Sequence, residues 1–262
     1  MIQHIEVNGV NLAYRFDGKL DAPVLMLSNS LMSNLSMWAP QVEAFTEKFR
    51  VLRYDTRGHG NSDVPPAPYS MDTLGEDAAA LIDALDLKAV HFCGLSMGGM
   101  VGQYLGAKHG DKLSSLILCD TACVMPPPSL WNDRISHIRE HGMAAAVTTT
   151  IERWFTTPFR EAGSAVINEV EAMIKGTPSE GFVGCALAIR DMDFSASNAS
   201  IKTPTLIIVG RDDPGTPVAA AEVLHGNIER SELAIVDEAA HLCNMERPAI
   251  FNKIVLDFLS RF

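Results

Sequence analysis

Gly94-Leu95-Ser96-Met97-Gly98 is the stretch on which the reading of this chain turns. Before it stands a short apolar run, Val90-His91-Phe92-Cys93, and after it a glycine-rich helical segment, Gly98 to Lys108. A serine in the pattern G-x-S-x-G between a strand and a helix marks a nucleophile elbow. The sharp turn holds the serine in a strained backbone conformation. The residues two before and two after must be small, because a side chain there would strike the neighbouring strand and helix. The N-terminus of the following helix then aims backbone N–H groups at the serine, which favours negative charge developing beside it.

Working outward, the chain opens as a β-hairpin: Val7 and Leu12-Tyr14 flank Asn8-Gly9, a hairpin turn signal. Short apolar runs follow at Val24-Leu27, Val51-Tyr54, Val90-Cys93, Leu116-Cys119, Thr205-Val209 and Leu233-Val236. Most are too uniformly apolar for strands with a solvated face, so they read as buried strands of a largely parallel sheet. With the hairpin they make an eight-stranded sheet. Helical patterns lie between them at Met71-Leu85, Gly99-Lys108 and Pro217-Leu224, with a final helix from about Pro248 to Leu259. Strands alternating with helices give the class α/β, a sheet flanked by helices. From Cys123 to about Ser200 no core strand is legible. Helix-like stretches stand instead at Ser129-His141, Ala144-Trp154, Ala165-Lys175 and Phe182-Ala188. The expected organisation is therefore a core of residues 1–122 and 201–262 carrying a helical cap insertion of residues 123–200, which shapes a pocket and excludes water.

A serine nucleophile needs a base, and the base needs an orienting acid. Of the eight histidines, His241 follows Leu233-Val236 after a short loop, beyond a strand's C-terminal end, where open α/β sheets place their sites. His59 belongs to the string Asp55-Thr56-Arg57-Gly58-His59-Gly60, read as a bracing network, and His109 ends a helix. The acid is expected from Asp212 or Asp213, just past Thr205-Val209, and Asp213 is preferred, with Asp212 solvated or paired with Arg211. Asp120, after Leu116-Cys119, is the competitor. The order Ser96, Asp213, His241 is that of the α/β hydrolases. The oxyanion hole needs two donors, expected to be the backbone N–H groups of Met97 and of Leu31 in the loop after Val24-Leu27.

Bulk properties narrow the function. The 262 residues suit one domain or one domain with a large insertion. A net charge of -11 argues against nucleic acid as a partner. No apolar run approaches the roughly 18–20 residues that span a bilayer, and the N-terminus lacks a basic stretch with an apolar core, so a soluble cytoplasmic protein without a membrane partner is expected. Five unpaired-looking cysteines read as small buried hydrophobes. There is no HExxH, no histidine-carboxylate set at ligand spacing and no phosphate-binding glycine loop after the first core strand, so neither metal nor cofactor is expected.

Over essentially its whole length the chain resembles the 3-oxoadipate enol-lactonases of bacterial aromatic catabolism, a family of the α/β-hydrolase fold. The resemblance is carried by Leu27-Ser28-Asn29-Ser30-Leu31 with Leu35-Ser36-Met37-Trp38, by Arg50 to Gly60, by Phe92 to Gly99, by Arg153-Trp154-Phe155 and Ile189-Arg190-Asp191, and by Ala240-His241 with Asn244 to Pro248. Most related hydrolases begin the oxyanion loop with His-Gly; Asn29-Ser30 looks more like the enol-lactonases. Met32 departs from the family, which places a small residue there, and narrows the expected pocket. The resemblance implies a small lactone bearing a carboxylate as substrate.

An anionic substrate of an acidic protein needs a local cation. The candidates are Arg134, one helical turn after Trp131, then Arg153 beside Trp154, and Arg190. Arg134, Trp131 and Trp154 are the expected pocket residues. The opposing reading pairs these arginines with Asp133, Glu152 and Asp191. Another small-ester, lactone or carbon–carbon bond hydrolase and a cofactor-free perhydrolase share the triad and stay open, as does a non-enzymatic ligand receptor of the same fold. Serine at position 96 disfavours an aspartate-nucleophile dehalogenase.

Overall fold

Asn8 and Gly9 take φ values of +48° and +73°, the left-handed pair that a type I′ hairpin turn requires. They join β1 (Gln3–Val7) to β2 (Val10–Asp17) in antiparallel register, Val7 opposite Val10. This is a computed structural model describing residues 1–125, 127–163 and 165–262. After the hairpin come β3 (Val24–Ser28), α1 (Ala39–Thr46), β4 (Arg50–Tyr54), α2 (Met71–Ala84), β5 (Val90–Leu95), α3 (Met97–Lys108) and β6 (Leu113–Cys119). Five helices follow: α4 (Pro128–His141), α5 (Val147–Trp154), α6 (Thr157–Glu161), α7 (Ala165–Gly176) and α8 (Ser179–Asp191). The chain closes with β7 (Thr205–Gly210), α9 (Val218–Asn227), β8 (Ser231–Val236), α10 (Cys243–Glu246) and α11 (Pro248–Leu259).

The eight strands form one sheet in the order β1-β2-β4-β3-β5-β6-β7-β8, parallel from β4 to β8 with β1 and β2 antiparallel at one edge. Strand β5 is buried throughout and β7 likewise, as uniformly apolar runs demand. The outer strand β8 is only partly covered, which suits an edge. Parallel register brings Ser28, Leu95, Cys119, Gly210 and Val236 to one end of the sheet. Every loop that carries a candidate residue leaves from that end.

Between β6 and β7 the described residues hold helices and no strand of the sheet. The two ends of the insertion meet: Val124 bridges Asp193, and Phe194 N donates to Cys123 O at 2.8 Å. All five cysteines are buried and free. Three helices are not legible in the sequence: α1, α6 and the four-residue α10. Helix α1 contains Pro40 at its second position and buries only Gln41 and Phe45, too few to show a period. Helix α6 spans five residues, less than two turns. Among the described residues no helix is long and apolar enough to cross a membrane, and no group of three or more His, Cys, Asp or Glu side chains could hold a metal ion.

Candidate active site

The elbow is built on steric exclusion. Ser96 sits at φ +57° and ψ -112°, a conformation that L residues rarely adopt, and its N–H donates to Cys119 O at 2.8 Å. A Cβ on Gly94 would lie 2.0 Å from Gly98 O, and one on Gly98 would lie 2.2 Å from Ser28 O. Both positions therefore exclude any side chain. Gly98 N–H donates to Asn29 O at 3.0 Å, which ties the elbow to the loop after β3. Met97 N–H, at the first position of α3, has no intrahelical acceptor. Leu31 N–H is likewise unengaged among the described residues. The loop that presents it is pinned on both sides. Asn29 donates to Tyr54 O at 2.7 Å and accepts from Trp38 Nε1 at 3.0 Å, and Met32 N–H donates to His59 Nε2 at 3.1 Å. Burial pulls the His59 imidazole down to about 4, so it is neutral and able to accept that bond.

His241 Nδ1 donates to Asp213 Oδ2 at 2.8 Å. The carboxylate accepts three further bonds, from Gly215 N at 2.7 Å, Thr216 N at 3.1 Å and the Thr216 hydroxyl at 2.6 Å. Burial alone would raise the Asp213 carboxyl, but the His241 charge and these donors outweigh it and hold the group below the usual carboxylate range. Burial alone would lower His241, and the Asp213 charge and hydrogen bond raise it. Asp120 meets the opposite fate. It accepts only Gly210 N at 2.8 Å and the Cys243 thiol at 2.9 Å, and burial beside the Asp213 charge pushes it up to about 8. At neutral pH Asp213 is ionised and Asp120 protonated, and Asp213 is the carboxylate hydrogen-bonded to the imidazole. Ser96 and His241 line one cavity, with no hydrogen bond between Ser96 Oγ and His241 in this state.

That cavity, about 70 Å³, is also lined by Leu31, Trp131, Arg134, Arg153 and Trp154. All three expected pocket residues are present. Trp131 gives its indole N–H to Met125 O at 3.1 Å, and the Arg134 guanidinium stacks 4.4 Å from its ring centroid. Arg134 makes no hydrogen bond or ion pair among the described residues. Burial, with Arg153 alongside, pulls it down to about 9, still charged at neutral pH. Arg153 donates only to Thr149 O at 3.2 Å and Thr150 Oγ1 at 3.5 Å, so it too makes no ion pair, although the Asp213 charge in the same cavity acts on it. Arg190 is not in the cavity; it pairs with Asp191 at 2.7 Å. Trp154 stacks on His241, ring centroids 6.1 Å apart.

Of the two alternatives for Asp212 the structure has the solvated one: Asp212 is exposed and Arg211 pairs with Asp237. His109 ends α3 as expected and also bonds Glu76 at 2.8 Å. The bracing role of the Asp55–Gly60 string holds. Asp55 accepts Leu35 N at 2.7 Å and Asn61 N at 2.8 Å, while Arg57 pairs with Asp77 of α2 at 2.5 Å. Sequence reasoning missed Thr216, although Asp213-Pro214-Gly215-Thr216 is a turn signal whose aspartate accepts from residues ahead of it. It also missed Glu246, which accepts Ala240 N at 2.9 Å and Thr156 N at 3.1 Å and so joins the His241 loop to the helical insertion.

Residues 23–141 match the family model described as the alpha/beta hydrolase fold. The chain is 37% identical to 3-oxoadipate enol-lactonase 2 of Acinetobacter baylyi over 253 residues, 97% of this chain and 94% of that protein. It belongs to the 3-oxoadipate enol-lactonase family of α/β hydrolases. As a member of that family it is an ester-hydrolysing enzyme. The crystal structure of the enol-lactonase from Burkholderia xenovorans LB400 superposes with a TM-score of 0.96 and 39% identity, covering 98% of this chain and 100% of that one. The likeness of these enol-lactonases therefore includes the helices between β6 and β7, which the family model leaves largely unmatched. A more distant relative, at 29% identity over 94% of this chain and 96% of that protein, is the putative carbamate hydrolase RutD of Stutzerimonas stutzeri.

Proposed function

We propose that this enzyme opens a small carboxylate-bearing enol-lactone, 3-oxoadipate enol-lactone, in aromatic compound catabolism. Residues 123–200 act as a cap over the site. Ser96 is the nucleophile, His241 the general base, Asp213 the orienting acid, and the N–H groups of Leu31 and Met97 the oxyanion hole. Ser96 Oγ attacks the lactone carbonyl while His241 Nε2 takes its proton. The two free N–H groups receive the charge on the carbonyl oxygen. Collapse breaks the ring C–O bond; the enol oxygen leaves with the proton from His241, and the enol tautomerises to a ketone. A water deprotonated by His241 then attacks the acyl-serine and releases a dicarboxylate. No step calls for a metal or redox cofactor.

The observation that carries the substrate reading is the pair of cations, Arg134 and Arg153, without carboxylate partners in a cavity they share with Ser96 and His241. In a chain of net charge -11, two such groups left unpaired suit an anion that arrives with the substrate. Trp131 and Trp154 supply the apolar walls.

Arg134→Met and Arg153→Met test this. Each is expected to lower kcat/KM for the enol-lactone roughly 10–100-fold, the worth of a charged hydrogen bond, while 4-nitrophenyl acetate changes less than about three-fold. Equal losses on the charged lactone and the neutral ester in both variants would overturn the assignment.

A further inference from the structure

A second cavity, about 80 Å³, adjoins the first. Met32, Arg134 and Arg153 line both, so these three side chains form the partition between them. Beyond the partition the walls combine apolar Ile138, Ala146 and Phe182 with donors from Thr150 and His137. The proposed mechanism leaves this space unused. Its lining suits a chain that is apolar along its length and anionic at its end.

Met32 is the odd member of the partition. Its φ is +62°, a left-handed value that strains a bulky L residue and costs a glycine almost nothing. The side chain is only 1% exposed, packed between the two cavities. The backbone is fixed independently, because Met32 N–H donates to His59 Nε2. A glycine would keep that bond, lose the strain and vacate the partition. Strain that persists where a smaller residue would relieve it points to a role for the side chain itself.

We propose that the second cavity is a subsite for the far end of longer ω-carboxyacyl esters, and that the Met32 side chain closes it and so limits the acyl length that Ser96 accepts. Arg134 and Arg153 face both sides of the partition, so they meet a short substrate's carboxylate in the first cavity and a longer one's as it passes into the second. Met32 is then a specificity residue: it selects length without touching the reacting atoms. The inference rests on the reading of Ser96 as the nucleophile.

The test uses 4-nitrophenyl half-esters of adipic and sebacic acid, with their methyl-capped diesters as neutral counterparts. In Met32→Gly the sebacate-to-adipate ratio of kcat/KM is expected to rise about ten-fold or more over wild type, the scale on which pocket volume discriminates. The methyl-capped pair is expected to gain less. Adding Ala146→Phe, which fills the second cavity, should return the ratio to the wild-type value. Using a ratio cancels any general effect of loosening the loop at Leu31, and Met32→Ala serves if the glycine variant does not fold. An unchanged ratio in both variants, or a gain that Ala146→Phe leaves intact, would overturn the subsite; equal gains for the capped esters would overturn its preference for anions. Turnover surviving in Ser96→Ala would instead refute the nucleophile reading.

Discussion

Asp213 and Asp120 are the same residue type, both buried and both in the field of His241, yet their surroundings drive them apart. Replacing each with asparagine separates their roles. In Asp213→Asn an amide replaces a carboxylate that holds four donors, and its NH₂ turned toward His241 Nδ1 reverses that hydrogen bond. The imidazole proton then moves to Nε2, where it blocks proton abstraction from Ser96. The expected fall in kcat is roughly 10²–10⁴-fold. In Asp120→Asn one neutral group replaces another, the oxygen keeps the Gly210 N–H, and kcat is expected to change less than about three-fold. Stability reads the proton directly. The folded pKa of Asp120 is raised to about 8, against about 3.9 in an unfolded chain. Between these values the folded state holds a proton that the unfolded state has released. That contribution to stability therefore falls as pH rises through the window and is constant outside it. The slope is at most about 1.4 kcal/mol per pH unit. Asparagine does not titrate, so the urea midpoint of Asp120→Asn relative to wild type is expected to climb steadily from pH 5 to pH 8. A flat difference would show that Asp120 holds no extra proton, and a kcat loss matching that of Asp213→Asn would refute the division of roles.

Ser96→Ala is expected to lower turnover by about 10⁴-fold or more with an unchanged circular dichroism spectrum, leaving only oxyanion and binding effects; near-wild-type turnover would remove Ser96 from the mechanism. Because His241 is raised above its ordinary value and must be neutral to accept a proton, the acidic limb of kcat/KM on a neutral ester is expected above pH 6.5. A limb well below that value would show that the Asp213 contact does not govern the base.

The parts of the site that were legible in the sequence obey local rules. Gly94 and Gly98 are demanded by contacts within a few residues and one adjacent strand, so the pattern alone locates Ser96. His241 was legible because a short loop after an apolar run leaves few places for it to go. Chain order favours Asp213 over Asp120, whereas the difference in their surroundings is tertiary: the Gly215-Thr216 turn supplies Asp213 with donors that suit a negative charge, while Asp120 receives a thiol and one amide. The arginines were legible only as candidates. Asp133, Glu152 and Asp191 each stand next to an arginine or one residue from it, and adjacency decided nothing, since only Arg190 takes its neighbour. Side chains one apart within a helix do not face each other; Arg190 and Asp191 meet at the C-terminal end of α8. The sequence pattern shows a helix only over Phe182–Ala188, whereas α8 runs Ser179–Asp191, since partly exposed ends dilute the periodic signal.

The helices between β6 and β7 also contact the loop that carries His241. Leu242 N–H donates to Trp154 O at 3.1 Å, Glu246 accepts from Ala240 on one side and Thr156 on the other, and the Trp154 ring stacks on the imidazole. His241 is thus held on one side by Asp213 of the core and on the other by the end of α5. The same helix end carries Arg153, immediately before Trp154. On the proposed assignment, an anion drawn to Arg153 pulls on the element that also positions the base. Ser96 Oγ and His241 share the cavity without a hydrogen bond between them, and catalytic bonds of this kind commonly tighten only in the complex with substrate. Binding energy from the remote carboxylate is therefore available to align the imidazole rather than merely to tighten binding. On that assignment the arrangement discriminates in kcat: a neutral ester reaches Ser96 without drawing on α5, and so without that help in aligning the base.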